Sequence, residues 1–279
     1  MPIDDLSQTQ MHDYVRSLAA LSFPRELAPQ VGATYYLRLS GVVIAVRLAN
    51  DDLARALLPA LAHLATDALT CAADIVLDVF GGDAAGPIPP PPFSAADYRR
   101  YGQRAAAQTD VCAVMHAPDA GMLFAYDYTT HHGICWIEDV TLLSIYERAA
   151  PLQTLFYWAL RDFGWQVIHA AAVGLEAGGA LLVGSTGAGK STTALASLEQ
   201  SNNHASALRY LSDDKCLARL TPHAEAFALF NSAKLKVDML AHFPAFLPLI
   251  QGWDDNYKVG KSLAFLYPTY AGKMIQCFP

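Results

Sequence analysis

Gly184, Ser185, Thr186, Gly187, Ala188, Gly189, Lys190 and Ser191 match the pattern G-x-x-x-x-G-K-[ST] in full. The chemistry this spacing serves is the holding of phosphate. Glycines let the main chain curl so that several N–H groups face one anion. A helix beginning at the end of the loop adds the partial positive charge of its N-terminus. In that arrangement Lys190 reaches the β- and γ-phosphates of a nucleotide, the Ser191 hydroxyl ligates Mg²⁺, and Thr192 lies near the α-phosphate. The flanks support the reading. The apolar run at 180–183 predicts a buried strand and the run at 191–200 predicts a helix, so the order is strand, glycine loop, helix.

A nucleotide loop needs a carboxylate nearby, and Asp213 and Asp214 follow the short apolar strand that contains Tyr210 and Leu211. Taken alone, an Asp-Asp pair at a strand end is a solvated turn or a helix cap. One crossover after a complete phosphate loop, it reads as a pair with divided roles: one carboxylate for the metal, one to take a proton from an attacking hydroxyl. Lys215 is a flanking charge and Cys216 a packed strand residue. His169 opens an apolar strand and by itself reads as a structural histidine. His131 and His132 are adjacent, and neighbours on a strand point to opposite faces, so they make a poor metal site.

The elements that position these residues follow from periodicity. Alternation predicts a strand pair at 34–40 and 42–48 hinged at Gly41, then a helix at 53–65 announced by Asp51 and Asp52, then a strand at 74–80. Residues 81–92, rich in glycine and proline, predict an extended polyproline-like spacer. Three antiparallel strands are expected at 111–116, 122–128 and 133–137. Leu152, Leu155, Phe156, Ala159, Leu160 and Phe163 keep a three-four spacing that predicts an amphipathic helix over 151–164. The expected class is mixed α/β, with a smaller α+β region over 1–145 and the phosphate-loop domain over 146–279.

Composition narrows the classes further. The chain has 279 residues, 53% apolar and only 16% charged, with a net charge of -7. That excludes a disordered, collagen-like or coiled-coil chain, and an acidic chain with scattered cations is a poor nucleic-acid binder. The greasiest stretch of the second half, 239–250, is too short to span a bilayer and carries Pro244 and Pro248, so no membrane segment is expected. It is a candidate subunit contact in a homo-oligomer. Met1, Pro2, Ile3, Asp4 and Asp5 lack the basic and apolar regions of a signal peptide. The five cysteines, Cys71, Cys112, Cys135, Cys216 and Cys277, are odd in number and form no C-x-x-C pair. They suit reduced thiols in a cytoplasm.

Three stretches in order carry a family resemblance: the run from His169 to Gly174, the loop from Gly179 to Leu195, and Leu211-Ser212-Asp213-Asp214. Together they resemble the HPr kinase/phosphorylase family, and more narrowly its related kinases outside sugar regulation, over roughly residues 150–240. The resemblance implies a fold like the nucleotide domain of phosphoenolpyruvate carboxykinase. It implies transfer of the γ-phosphoryl group of ATP, with Mg²⁺, to a serine hydroxyl. It makes one of the two aspartates a general base, assigned to Asp213, with Asp214 nearer the metal and His169 set against the pair to orient it.

The chain departs from the family pattern in three places. A polar insert (Ser201, Asn202, Asn203, His204, Ala205 and Ser206) lengthens the stretch between Lys190 and Asp213. No arginine occurs after Arg219, which leaves Lys234, Lys236, Lys258, Lys261 and Lys273 as the cations of that region, with Lys234 and Lys236 the best placed to face acceptor or phosphate. The kinase region, ending at Cys277, Phe278 and Pro279, is expected to be short. A looser likeness to kinases of peptide-modifying gene clusters suggests a precursor peptide of a ribosomal natural product as acceptor, with residues 1–145 as its docking region. The competing expectations are a nucleotide-binding sensor without transfer activity and a small-molecule kinase acting on a compound such as free serine.

Overall fold

The computed structural model describes residues 8–22, 33–67, 72–81, 88–98, 104–175, 178–185, 187–201, 209–254, 263–266 and 274–276. Thr186, Lys258, Lys261, Lys273, Cys71, Cys277, most of the 201–206 insert and residues 82–87 of the expected spacer lie outside them, as does the Lys236 side chain. In chain order the elements are α1 (Gln8–Ser22), β1 (Ala33–Leu39), β2 (Val42–Leu48), α2 (Asp51–Leu57), β3 (Ala65–Thr66), β4 (Ile75–Gly81), β5 (Ala105–Gln108), β6 (Cys112–Ala117), β7 (Met122–Asp127), β8 (His132–Ile137), α3 (Ile145–Ala149), α4 (Gln153–Ala159), β9 (Gln166–Ile168), β10 (Ala171–Leu175), β11 (Gly178–Leu182), α5 (Lys190–Ser201), β12 (Arg209–Ser212), β13 (Cys216–Arg219), β14 (Glu225–Ala228), β15 (Ala233–Lys236), β16 (Ile250–Asp254), β17 (Leu263–Leu266) and β18 (Met274–Gln276). The class is mixed α/β. None of the described helices is long and apolar enough to cross a membrane.

The chain divides into two compact units. One gathers Met1–Leu58, Leu64–Ser144 and Leu152–Phe163; the other gathers Pro59–His63, Ile145–Pro151 and Gly164–Pro279. The first unit holds an eight-stranded sheet in the order β3-β1-β2-β4-β8-β7-β6-β5. Its β2-β4 and β4-β8 neighbours are parallel and the others antiparallel. This is the largest described sheet. The expected hairpin is present, turned by Ser40 and Gly41, both at positive φ. Met11, Tyr14, Val15 and Leu18 of α1 form one apolar stripe against Val114, Leu123, Ala125 and Ile134 of the sheet.

Two expected helices are shorter than their periodicity suggests. The run at 53–65 is α2 followed by a 3-10 turn from Pro59, because proline has no N–H to continue the ladder. Asn50, not an aspartate, caps α2 by accepting from the Leu53 N–H. The run at 151–164 is α4 and a 3-10 turn. Leu152 sits in the left-handed region at φ 55 and starts the helix only after itself.

Asp78 lies fully buried in β4, inside an otherwise apolar strand. The Arg47 Nε and Nη2 donate to its two oxygens at 2.5 and 2.6 Å, and Ser22 Oγ donates at 2.8 Å. His132 Nε2 lies 2.9 Å from the same carboxylate. Burial alone would raise the Asp78 carboxyl; His132 and Arg47 outweigh it and hold it below the ordinary value. The two adjacent histidines go to different partners: His131 packs on Phe163, while His132 serves Asp78.

The second unit contains three small sheets, ordered β11-β10-β12, β18-β14-β13-β9 and β15-β17-β16. Strand β10 is antiparallel to both neighbours, and its residues alternate between two cores. Ala171 and Val173 face Ala194, Leu195, Tyr210, Ala233 and Leu235; Ala170 and Ala172 face Leu211, Cys216, Ala226 and Ala228. The greasy 239–250 stretch is largely used inside this unit: Leu240, Phe243 and Phe246 belong to the first of these cores, while Leu247 is exposed. Cys112, Cys135 and Cys216 are buried and form no disulfide among the described residues.

Candidate phosphate-binding site

The strand before the loop is β11, which is paired to β10 on one side. Its residues are half-buried to exposed and Val183 beyond it is 71% exposed, so the buried strand expected at 180–183 is an edge strand instead. The loop itself is built on positive φ. Gly184, Gly187 and Gly189 stand at 156°, 89° and 88°, a region that costs any residue with a Cβ. The Ala188 N–H closes a turn on the Ser185 carbonyl at 3.2 Å. A Cβ at Gly187 or Gly189 would meet no atom within 4 Å, so there is open space beside the loop at these two positions.

Helix α5 begins at Lys190, and the Thr193 N–H donates to the Gly189 carbonyl at 2.9 Å. The first-turn N–H groups of Lys190, Ser191 and Thr192 therefore lack acceptors within the helix. Buried Ala194 and Leu195 pin α5 to β10 and β12, which fixes where those donors point. Lys190 Nζ folds over the loop, donating to the Gly184 carbonyl at 2.8 Å and the Ser185 carbonyl at 3.2 Å. An ammonium resting on exposed carbonyls is available to an incoming anion, which is the stronger acceptor.

Beside this loop, β12 ends and the chain turns sharply. The Lys215 N–H donates to the Asp213 carbonyl at 2.8 Å, with Asp214 between them at φ 69. That left-handed, three-residue turn is strained for a residue with a side chain, and it sends consecutive carboxylates into different surroundings. Asp213 is buried. Its Oδ2 accepts the main-chain N–H of Lys234 at 3.1 Å, while its Oδ1 is buried with no hydrogen-bond partner of good geometry. The Ser191 side chain is close enough to favour the charged form, yet burial dominates and, with Asp214 beside it, pushes the Asp213 carboxyl above the ordinary range.

Asp214 is the opposite case. Its Oδ1 lies 3.0 Å from His169 Nε2 and its Oδ2 lies 2.6 Å from Lys234 Nζ. Burial would raise this carboxyl too, but the Lys234 charge and hydrogen bond, with Lys215 and His169, hold it below the ordinary value. The two neighbouring carboxyl groups thus have pKa values pushed in opposite directions by their surroundings.

Of the residues singled out in the sequence, Ser191, Asp213, Asp214 and His169 are connected by these contacts. Gly184, Ser185, Gly187, Ala188, Gly189, Lys190 and Thr192 form the adjoining loop and helix start. The oxygen donors present suit Mg²⁺, which takes one or two protein oxygens and leaves the rest to phosphate and water. Of the expected metal pair, Ser191 acts on Asp213 rather than Asp214, whose two oxygens are held by His169 and Lys234, while Asp213 Oδ1 marks a buried polar position still to be satisfied.

Tyr210 is the residue that sequence reasoning passed over. Its buried hydroxyl donates to the Ser232 carbonyl at 3.1 Å, and Ser232 Oγ in turn donates to the Ala149 carbonyl at 2.5 Å. These bonds fix the entry to β15 and therefore the place of Lys234. The available signal was a phenol inside an apolar strand three residues before Asp213. Comparison with known proteins gives no matching family model and no significant match among curated proteins.

Proposed function

We propose that this protein is an ATP- and Mg²⁺-dependent kinase of the HPr kinase-like type, transferring the γ-phosphoryl group of ATP to a serine hydroxyl on a peptide or small protein. The observation that carries the reading is the split pair: Asp213 buried and raised, Asp214 ion-paired and lowered, beside an open glycine loop at a helix start. Phosphoryl transfer asks a protein mostly for positioning and electrostatic stabilisation. The loop N–H groups and Lys190 hold the phosphates. The serine oxygen forms a bond to the γ-phosphorus while its proton passes to Asp213. The bond from that phosphorus to the bridging oxygen breaks, and its electron pair leaves on ADP.

A carboxylate with a raised pKa is the better proton acceptor. Asp214, kept ionised by Lys234 and His169, is with Ser191 the donor set for Mg²⁺. When bound, that ion neutralises phosphate charge. In this reading the N-terminal unit docks the acceptor, and the precursor peptide of a ribosomal natural product is a fitting one.

The test is incubation with γ-labelled ATP and Mg²⁺ in the presence of host-cell extract, with the labelled species identified by mass. A labelled peptide or protein that is absent with Lys190→Ala supports the reading. Nucleotide binding with no labelled product moves it to a sensor. A labelled small molecule moves it to a metabolite kinase.

A further inference from the structure

Resting on that reading of the site, we infer that Lys234 is the residue that binds the γ-phosphoryl group itself and neutralises the charge that develops there during transfer. Lys234 is held at two points by the carboxylate pair. Its main-chain N–H donates to Asp213 and its ammonium donates to Asp214 at 2.6 Å. An ammonium carries three protons, and Asp214 Oδ2 takes one. The side chain is 25% exposed, and Asp214 is the one carboxylate in ion-pair distance of its ammonium among the described residues.

The position is also rigid. Strand β15 is hydrogen-bonded in register to β17, with Lys234 opposite Phe265. The approach to the strand is fixed by the Asn231 N–H on the Ala60 carbonyl and by the Tyr210 and Ser232 hydroxyl bonds. Asp213 links the two halves of the site: the Ser191 side chain at the start of α5 acts on its carboxylate, and the Lys234 main chain binds that same carboxylate. The Lys234 main chain is thus tied to the carboxylate that Ser191 at the helix start also acts on, and its ammonium reaches the neighbouring carboxylate.

Two described cations of this unit have partners away from the carboxylate pair. Lys190 lies on the loop carbonyls, and Arg219 pairs with Glu225 and lies over the Trp165 ring. Charge in the transition state spreads over the three equatorial oxygens of the moving phosphoryl, and a cation already fixed by its own carboxylate meets that charge without reorganising. Because ADP lacks the γ-phosphoryl, this contact separates ATP from ADP.

The experiment is calorimetric titration of wild type, Lys234→Ala and Lys234→Arg with ADP and with a non-hydrolysable ATP analogue, each with Mg²⁺. Loss of a charge-assisted contact predicts that Lys234→Ala binds the analogue about 10-fold to 100-fold more weakly. ADP affinity stays within about threefold, the range left when no contact is removed, and retained ADP binding reports a folded protein. Lys234→Arg keeps the preference for the analogue.

Equal weakening toward both nucleotides in Lys234→Arg, or no weakening toward the analogue in Lys234→Ala, overturns the assignment while wild-type binding leaves the reading of the site standing. If Lys234→Ala binds neither nucleotide, Lys234→Arg decides: a kept preference supports the assignment and a lost one overturns it. Wild type that binds neither nucleotide overturns the site reading and this inference together.

Discussion

Asp213 and Asp214 are consecutive residues whose carboxylates occupy opposite environments. Asp213 has one buried oxygen with no partner, whereas both oxygens of Asp214 are held, at 3.0 Å by His169 and 2.6 Å by Lys234. The cause is local backbone geometry: the Asp214 φ of 69 turns the chain within one residue. Lys234 bridges the pair, main chain to one and side chain to the other.

The split has a signature in stability against pH. The folded-state pKa of Asp213 is raised above the ordinary 3.8, so in the window above that value the folded protein retains a proton the unfolded chain has released. Stability therefore falls as pH rises from 3.8 through the raised value. Asp214 has the opposite sign. Its lowered pKa contributes stability that is present above 3.8 and lost as pH falls through the folded value. Denaturant midpoints measured between about pH 4 and 7 should decline less for Asp213→Asn than for wild type. An unchanged slope contradicts the burial of an ionisable group there.

Lys190→Ala separates binding from folding. Among the described residues the ammonium bonds two exposed loop carbonyls, so the melting temperature should move by no more than about 2 °C. Nucleotide affinity should fall by about 10-fold to 100-fold with the loss of charge-assisted contacts to phosphate. Calorimetry and a thermal melt on one preparation check both. Unaltered affinity contradicts a phosphate role for the loop.

Tyr210→Phe tests the support beneath the site. It leaves the ring in its core and removes the donor to the buried Ser232 carbonyl. An acceptor stranded in that way costs about 1–3 kcal/mol. Urea unfolding should show that loss, together with a fall in nucleotide affinity, because Ser232 leads directly into β15 and Lys234. A variant as stable as wild type contradicts the bracing role.

Asp78→Asn tests the network of the N-terminal unit. It leaves Arg47 and His132 without their shared charge. Breaking a buried pair costs about 3–5 kcal/mol, and here about 2–3, because Arg47 is 39% exposed and regains water. Chemical denaturation reads it. A loss under about 0.5 kcal/mol, the scale of a surface substitution, contradicts the network.

The parts legible in the sequence are those fixed by short-range rules. The glycines at 184, 187 and 189 announce themselves because only glycine adopts those φ values freely. The β1-β2 hairpin follows from alternation around one glycine. The rest depends on distant partners. Lys234 meets Asp213 and Asp214 across about 20 residues because β15 is positioned by Tyr210 and Ser232, and no local pattern encodes that. Helix α1 had a readable stripe in Met11, Tyr14, Val15 and Leu18, which the reading by periodicity passed over. The 151–164 run kept helical spacing through a left-handed Leu152, which periodicity does not register. Asp78, a lone charge in an apolar strand, was a visible signal of a buried network.

The most direct test of the central claim compares wild type and Asp213→Asn for ATP binding and for label transfer from γ-labelled ATP to the same acceptor. The account predicts ATP affinity within about threefold for both proteins, and a transfer rate about 10²-fold to 10⁴-fold lower in Asp213→Asn, the contribution of a general base. Equal transfer by both proteins, or no transfer by a wild type that binds ATP beside its acceptor, would contradict it.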